Sequence, residues 1–174
     1  MEPLTFHQLL EKEQVLHLYL MKMAHIKIGD TLPSFQLPDQ NGKERSVDSI
    51  RNGKNLVLYF YPKDETMVCT KQACAFRDSY EVFKDYECEV VGISSDPHES
   101  HQKFSSHHRL PFVLLSDTKQ QVRKLLGVPR DTFGLLPGRY TYVVNKEGKI
   151  VHIFNSQFMA QKHIDEALKA LKNE

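Results

Sequence analysis

The sequence predicts an α/β domain built on a mainly parallel sheet. Three continuous apolar runs carry that expectation: residues 55–61 (NLVLYFY), 89–94 (EVVGIS) and 112–115 (FVLL). Runs of this kind mark strands covered on both faces. Segments with helical spacing lie between them, and strands alternating with helices imply crossover connections between parallel neighbours.

The elements follow in chain order. Thr5-Phe6-His7-Gln8 has the spacing of a capping box, and Phe6, Leu9, Leu10, Leu16 and Leu20 share a face that Glu13 interrupts. This predicts a helical extension over residues 1–24, ahead of a single domain over residues 25–174. From Gly29, short apolar alternation flanks Asp39-Gln40-Asn41-Gly42, a turn cluster that reads as a hairpin. After the first buried run, Cys69, Ala73, Phe76, Tyr80 and Phe83 recur at spacings of four and three, one helical stripe facing a core. A more polar helix is expected around 99–108, and a third over KQQVRKLLGV, ended by Gly127 and Pro129. YTYVVNKEGKIVHIF reads as a hairpin turning at 145–148, and Ile164, Leu168 and Leu171 mark a last amphipathic helix. There is no internal repeat or linker.

Composition narrows the function classes. A chain of 174 residues, 40% hydrophobic and 26% charged, is long enough for one domain with a sizeable core. A net charge of +1 leaves no footprint for nucleic acid or an anionic membrane. No apolar run approaches the roughly 20 residues of a membrane helix. The first 22 residues carry Glu2, Glu11 and Glu13 and lack the basic start and cleavage site of a secretory signal. They also lack the Arg- and Ser-rich, acid-poor look of a transit peptide. Three cysteines are too few, and odd in number, for a secreted disulfide framework. The expectation is a reducing, cytoplasmic setting in which thiols do chemistry.

Two of those cysteines, Cys69 and Cys74, sit five residues apart. The helical stripe starts at Cys69, behind a buried strand and a short loop. That places its sulfur in the first turn of a helix, at the end carrying about half a positive charge and unpaired N–H groups. Such a place favours the thiolate; a free cysteine has a pKa of ~8.5, and each unit of depression is worth about 1.4 kcal/mol. In a continuous helix the two Cα atoms stand on the order of 8.6 Å apart and face about 140° away from each other. A disulfide needs Cα atoms within ~7 Å, so the pair can close only if the first turns unwind. Zinc sites use closer pairs and a second Cys/His pair, and a Cys-x-x-Cys motif is absent. Spacing alone leaves inert thiols, a redox couple and a metal pair open.

The surrounding residues carry more. Pro62-x-x-x-Thr66-x-x-Cys69 resembles the Pro-x-x-x-Thr-x-x-Cys signature of peroxiredoxins. YFYPKDETMVCTKQACAFRDSYEVF, VVGISSD, LPFVLLSD, LLGVPRDTFGLLPGRYTYVVNKEGKI and KHIDEALKAL each resemble segments of the bacterioferritin-comigratory/peroxiredoxin Q group, most closely its plant and cyanobacterial type. The resemblance runs from about Ile28 to Leu171, in order. It implies a thioredoxin-like fold: a mainly parallel or mixed central sheet flanked by helices, with an N-terminal hairpin and here an extra N-terminal helix.

The resemblance also implies a reaction. Cys69 matches the peroxidatic nucleophile, whose thiolate attacks a hydroperoxide and becomes a sulfenic acid. Thr66 matches the threonine whose hydroxyl orients thiolate and peroxide, and Pro62 the proline that shields the sulfur. Arg139 matches the arginine that hydrogen-bonds the thiolate and the peroxide oxygens. Cys74 corresponds to the resolving cysteine that closes an intramolecular disulfide, which thioredoxin or a similar dithiol protein reduces. The implied cycle is that of a thioredoxin-dependent, atypical two-cysteine peroxidase acting on hydrogen peroxide and organic hydroperoxides, with no metal or other cofactor. The group implies a monomer, with the N-terminal helix available for a dimer contact. The alternative is a peroxide sensor that uses the same thiol switch. Two departures stand out: Met67-Val68 replaces a common Pro-Gly, and Gln72 stands where many members have Glu, removing a charged partner for Arg139.

Cys88 begins a buried run and reads as an inert core thiol. His98, His101, His107 and His108 read as a hydrated helix and loop, with no ligand spacing and no acidic partners evident.

Overall fold

The computed structural model describes residues 25–131 and 133–174, so the helix expected over residues 1–24 lies outside the described residues. Strands β1 (Gln36–Pro38) and β2 (Glu44–Ser46) form the expected hairpin. Its turn is held by Asp39, whose carboxylate accepts from the backbone N–H of Asn41 at 2.8 Å and of Lys43 at 3.1 Å. A short helix, α1 (Val47–Arg51), follows at once, its N-terminus capped by the Ser46 hydroxyl. One turn buries only Val47 and Ile50, too short a period for pattern reading to catch.

The central sheet is made of β3 (Asn55–Phe60), β4 (Cys88–Ser94), β5 (Val113–Ser116), β8 (Tyr140–Val144) and β9 (Ile150–Asn155). Its strand order is β5-β4-β3-β8-β9. Strands β3, β4 and β5 run parallel, as the apolar runs predict, while β8 is antiparallel to β3 and β9 to β8. The sheet is therefore mixed. Strands β8 and β9 are joined by a tight turn at 145–148, and only an antiparallel pair can close over so short a connection.

Every residue of β3 is buried, because both faces of the strand are covered. Val57, Tyr59 and Tyr61 point into one core, which α2 (Met67–Asp78), α3 (Tyr80–Asp85), α4 (His98–His108) and α6 (Ala160–Lys172) complete. Leu56, Leu58 and Phe60 point into the other, under α1, the N-terminal hairpin and α5 (Gln121–Leu125). Each large side chain so covered contributes about 1.5–3 kcal/mol.

The stripe that predicts one helix from Cys69 to Phe83 is split between α2 and α3. Ser79 sits between them at φ −99° and ψ 6°, off the helical basin. The i, i+4, i+7 spacing survives a one-residue break, so Phe76 and Phe83 still meet, with ring centroids 5.7 Å apart. A two-residue ladder, β6 (Arg130–Asp131) with β7 (Leu136–Pro137), precedes β8. Among the described residues no helix is long and apolar enough to cross a membrane.

Candidate active site

Strand β3 delivers the chain to a loop over residues 61–66, and α2 begins directly after it. Thr66 is the N-cap, but its side chain caps nothing, and the first turn of α2 carries no acidic residue. The unpaired N–H groups and partial positive charge of this helix end are thus left uncapped beside Cys69, the third residue of the helix. Cys69 is 2% exposed, and all three cysteines are free thiols.

Arg139 arrives from 70 residues further along, at the entry to β8. Phe60, the last residue of β3, pairs with Tyr140, so the chain leaves β3 toward Cys69 beside the point where Arg139 enters the sheet. Gly138 sets that entry. A Cβ there would lie 2.2 Å from the Pro129 carbonyl oxygen, so only glycine fits. Buried Arg123 donates to the Gly138 carbonyl at 3.0 Å and fixes the same peptide.

The Arg139 guanidinium is buried, and each of its three nitrogens donates a hydrogen bond. Nη2 donates to Cys69 Sγ at 3.2 Å, Nη1 to Gln72 Oε1 at 2.6 Å, and Nε to the Gln157 carbonyl at 3.0 Å. Two of these acceptors are neutral carbonyl oxygens, and the third is the cysteine sulfur. Gln72 therefore remains a partner for Arg139 through an amide oxygen, while its own Nε2 is buried without a hydrogen-bond acceptor. Tyr59, stacked on Phe76 at 4.6 Å, holds its phenol proton firmly: burial is the main cause, followed by the neighbouring Cys69 and Asp64 charges.

The other expected site residues are placed less directly. Pro62 is half-buried in the loop, and Thr66 is exposed. The Thr66 hydroxyl donates to the Lys63 carbonyl at 2.9 Å. Its proton is committed there, so the orienting role expected for it is open only to its oxygen lone pairs. Cys74 lies on α2, half-buried, with Sγ 3.9 Å from His108 Nδ1. Cys88 is buried at the start of β4, its thiol pushed up to about 12 by burial, which fits an inert core thiol. Met67 is 73% exposed and does not fill the space beside the sulfur.

The histidines correct the sequence reading. His101 is fully buried, 2.8 Å from the Asp64 carboxylate through Nδ1 and 3.1 Å from the Leu115 carbonyl through Nε2. Asp64 also accepts from the Tyr61 and Ser100 hydroxyls, both at 2.7 Å. His107 and His108 both reach Glu65, each at 3.0 Å. These imidazoles do have acidic partners, which local spacing hides because they lie about 40 residues upstream. The Asp64 network was missed in sequence although Asp64 stands within the quoted signature stretch.

His163, also unremarked in sequence, buttresses the arginine from α6. It lies 2.8 Å from the Thr141 hydroxyl and 2.8 Å from the Ser156 carbonyl, next to the Gln157 carbonyl that receives Arg139. Its pKa is pushed down to about 4, first by burial and further by the Arg139 charge, against the Ser156 bond. An unfolded chain binds a proton at this histidine below about pH 6.5, whereas the folded chain resists until about pH 4. Stability is therefore full above pH 6.5 and falls by about 3 kcal/mol as pH drops through that window. Urea midpoints measured between pH 7.5 and 4 should show this slope, and His163→Gln should flatten it.

A family model described as the AhpC/TSA family matches residues 28–153. The chain belongs to this family. It is 55% identical over 150 residues to "Peroxiredoxin Q, chloroplastic" of Populus jackii, covering 86% of this chain and 70% of that one. Among solved structures it resembles peroxidoxin BcpB of Mycobacterium tuberculosis, at 38% identity and a TM-score of 0.79, over 86% of this chain and 98% of that one. The bacterioferritin comigratory protein of Xanthomonas campestris, solved as trapped intermediate and ligand complexes bearing on alkyl peroxide reduction, superposes at 27% identity and a TM-score of 0.72, over 80% and 90% of the two chains. The chain is thus a peroxiredoxin of the Q type on a thioredoxin-like fold, an enzyme that reduces peroxide through a thiol. The cytoplasmic expectation is overturned, because relatives at 55–56% identity are named chloroplastic. Cysteine count separates oxidising from reducing compartments and does not choose among reducing ones.

Proposed function

We propose that residues 25–174 act as one catalytic domain in which Cys69 is the peroxidatic nucleophile and Cys74 resolves it. The contact that carries this reading is Arg139 Nη2 at 3.2 Å from Cys69 Sγ, in a buried site at an uncapped helix N-terminus. The thiolate of Cys69 attacks the distal peroxide oxygen, the O–O bond breaks, and the departing hydroxide or alkoxide takes up a proton from solvent to leave as water or an alcohol. Arg139 stabilises the charge that shifts from sulfur to the leaving oxygen. Pro62 limits access of bulk water to the sulfur, and Thr66 offers its lone pairs to the peroxide proton. Alkyl hydroperoxides are within the substrate range, a reading supported by the alkyl peroxide reduction activity of the Xanthomonas campestris bacterioferritin comigratory protein. The names of the plant relatives support a plastid as the compartment.

Cys69 and Cys74 share the unbroken helix α2, so closing their disulfide opens its first turns. The exposed side of Cys74 borders a groove of about 980 Å³ between α2 and α6, lined also by Lys71, Phe158 and Met159. A thioredoxin-type dithiol protein can approach the disulfide there and reduce it by thiol exchange. The pairing is intramolecular and needs no second subunit, which supports a monomeric catalyst.

Intact-mass measurement after one equivalent of hydrogen peroxide tests the cycle. The expected product has lost two hydrogens, and digestion should place the bridge between Cys69 and Cys74. Cys74→Ser should undergo one oxidation and then stop, with no recycling by thioredoxin. Normal turnover of that variant would refute the resolver assignment.

A further inference from the structure

We propose that His108 is the proton acceptor for Cys74 and that Glu65 holds its imidazole in the required tautomer. This rests on the assignment of Cys74 as the resolving thiol. The sulfur lies 3.9 Å from Nδ1, and the opposite ring nitrogen, Nε2, lies 3.0 Å from Glu65 Oε2. A carboxylate only accepts, so Nε2 carries the hydrogen and Nδ1 turns a lone pair toward the thiol. Sulfur, imidazole and carboxylate in this order form the arrangement of an activated nucleophile and its base.

The surroundings hold the base in place. The His108 side chain is only 16% exposed, and its ring packs edge-on against Phe104 at 5.0 Å. Arg77 Nη1 donates to the His108 carbonyl at 2.7 Å, tying the C-terminal half of α2 to the end of α4. Cys74 belongs to that anchored half, whereas Cys69 lies in the turn that must open. The resolving thiol therefore keeps its base while the sulfenic acid is brought to it.

The step balances without an outside reagent. Cys74 gives its thiol proton to His108 Nδ1, and its electron pair attacks the sulfenic sulfur of Cys69. The S–O bond breaks, and the leaving hydroxide takes the proton from His108 and departs as water. Cys74 is oxidised and the sulfenic sulfur is reduced. The other charges around Cys74 and His108 are Lys71, Arg77 and Asp78 on α2, His107 beside Glu65, and Lys162, Asp165 and Glu166 lining the groove at Cys74. Both test variants leave these charges unchanged.

The test is quenched-flow oxidation of the full-length reduced protein, with alkylation and mass analysis of sulfenic acid and disulfide between pH 5.5 and 8.5. For His108→Asn, the ratio of disulfide closure to sulfenic acid formation should fall about 100-fold, and the imidazole inflection in the closure rate should vanish. Glu65→Gln, at a half-exposed position that folding tolerates, should lower the same ratio about 10-fold by releasing the tautomer. If the unmodified protein forms the Cys69–Cys74 disulfide and both variants close at its rate with its pH profile, His108 is not the base. If the unmodified protein forms no such disulfide, the assignment of Cys74 falls, and this proposal with it.

Discussion

Arg139→Ala should lower the second-order rate constant for peroxide consumption by about 10²–10³-fold, and Cys69→Ser should abolish it. The serine variant removes the thiol in contact with the guanidinium, and an alcohol at neutral pH is no substitute for a thiolate. The alanine variant keeps the nucleophile but removes a preorganised donor from a water-poor site, where one such hydrogen bond is worth about 3–4 kcal/mol in the transition state. Arg139→Lys should recover little of the loss, because an ammonium cannot hold Gln72, the Gln157 carbonyl and the sulfur at once. Stopped-flow single turnovers with hydrogen peroxide measure all three variants. A rate within threefold of wild type for Arg139→Ala would remove the guanidinium from the mechanism.

Asp64→Ala should cost about 3–5 kcal/mol of stability, lowering the melting temperature by roughly 10 °C for a chain of this size. Asp64 is 6% exposed and gathers Tyr61, Ser100 and His101 around one carboxylate. Its removal leaves two hydroxyls and an imidazole buried without their acceptor. Burial works to raise its pKa, but the bonds from His101, Tyr61 and Ser100, with the charge of His101, outweigh burial and hold it below the usual carboxylate range. Stability from this carboxylate is therefore complete above its unfolded pKa of ~3.9 and is lost as pH falls through the lower folded value. The same residue ties the site loop to the bend after β4, since its backbone N–H donates to the Asp96 carboxylate at 2.9 Å. Activity should suffer along with stability. Calorimetry and initial rates on Asp64→Ala and Asp64→Asn separate the two losses, the amide keeping one acceptor and costing less.

How much of this was legible in sequence depended on the range of the signal. The parallel strands were, since a strand buried on both faces is apolar at every position. Local spacing places Cys69 at a helix start, but its role was legible only through the family signature, as was that of Arg139, since no local rule joins residues 70 apart. The Asp64–His101 and Thr141–His163 pairs were invisible for that same reason: each half reads as an ordinary polar residue until the fold brings its partner. Ser79 escaped because hydrophobic spacing continues unbroken across it. Gln72 drew attention for the charge it lacks, whereas its carbonyl oxygen is what the site uses.

The pairing of Phe60 with Tyr140 puts the exit of β3, from which the chain runs to Cys69, beside Arg139, the residue just ahead of β8. The distance between nucleophile and guanidinium therefore depends on strand register as well as on the loop over residues 61–66. One residue inserted into either strand would shift the alignment by ~3.3 Å and turn the guanidinium toward the wrong side of the sheet. Length variation can accumulate in the turn at 145–148 without harm, but these two strands tolerate none.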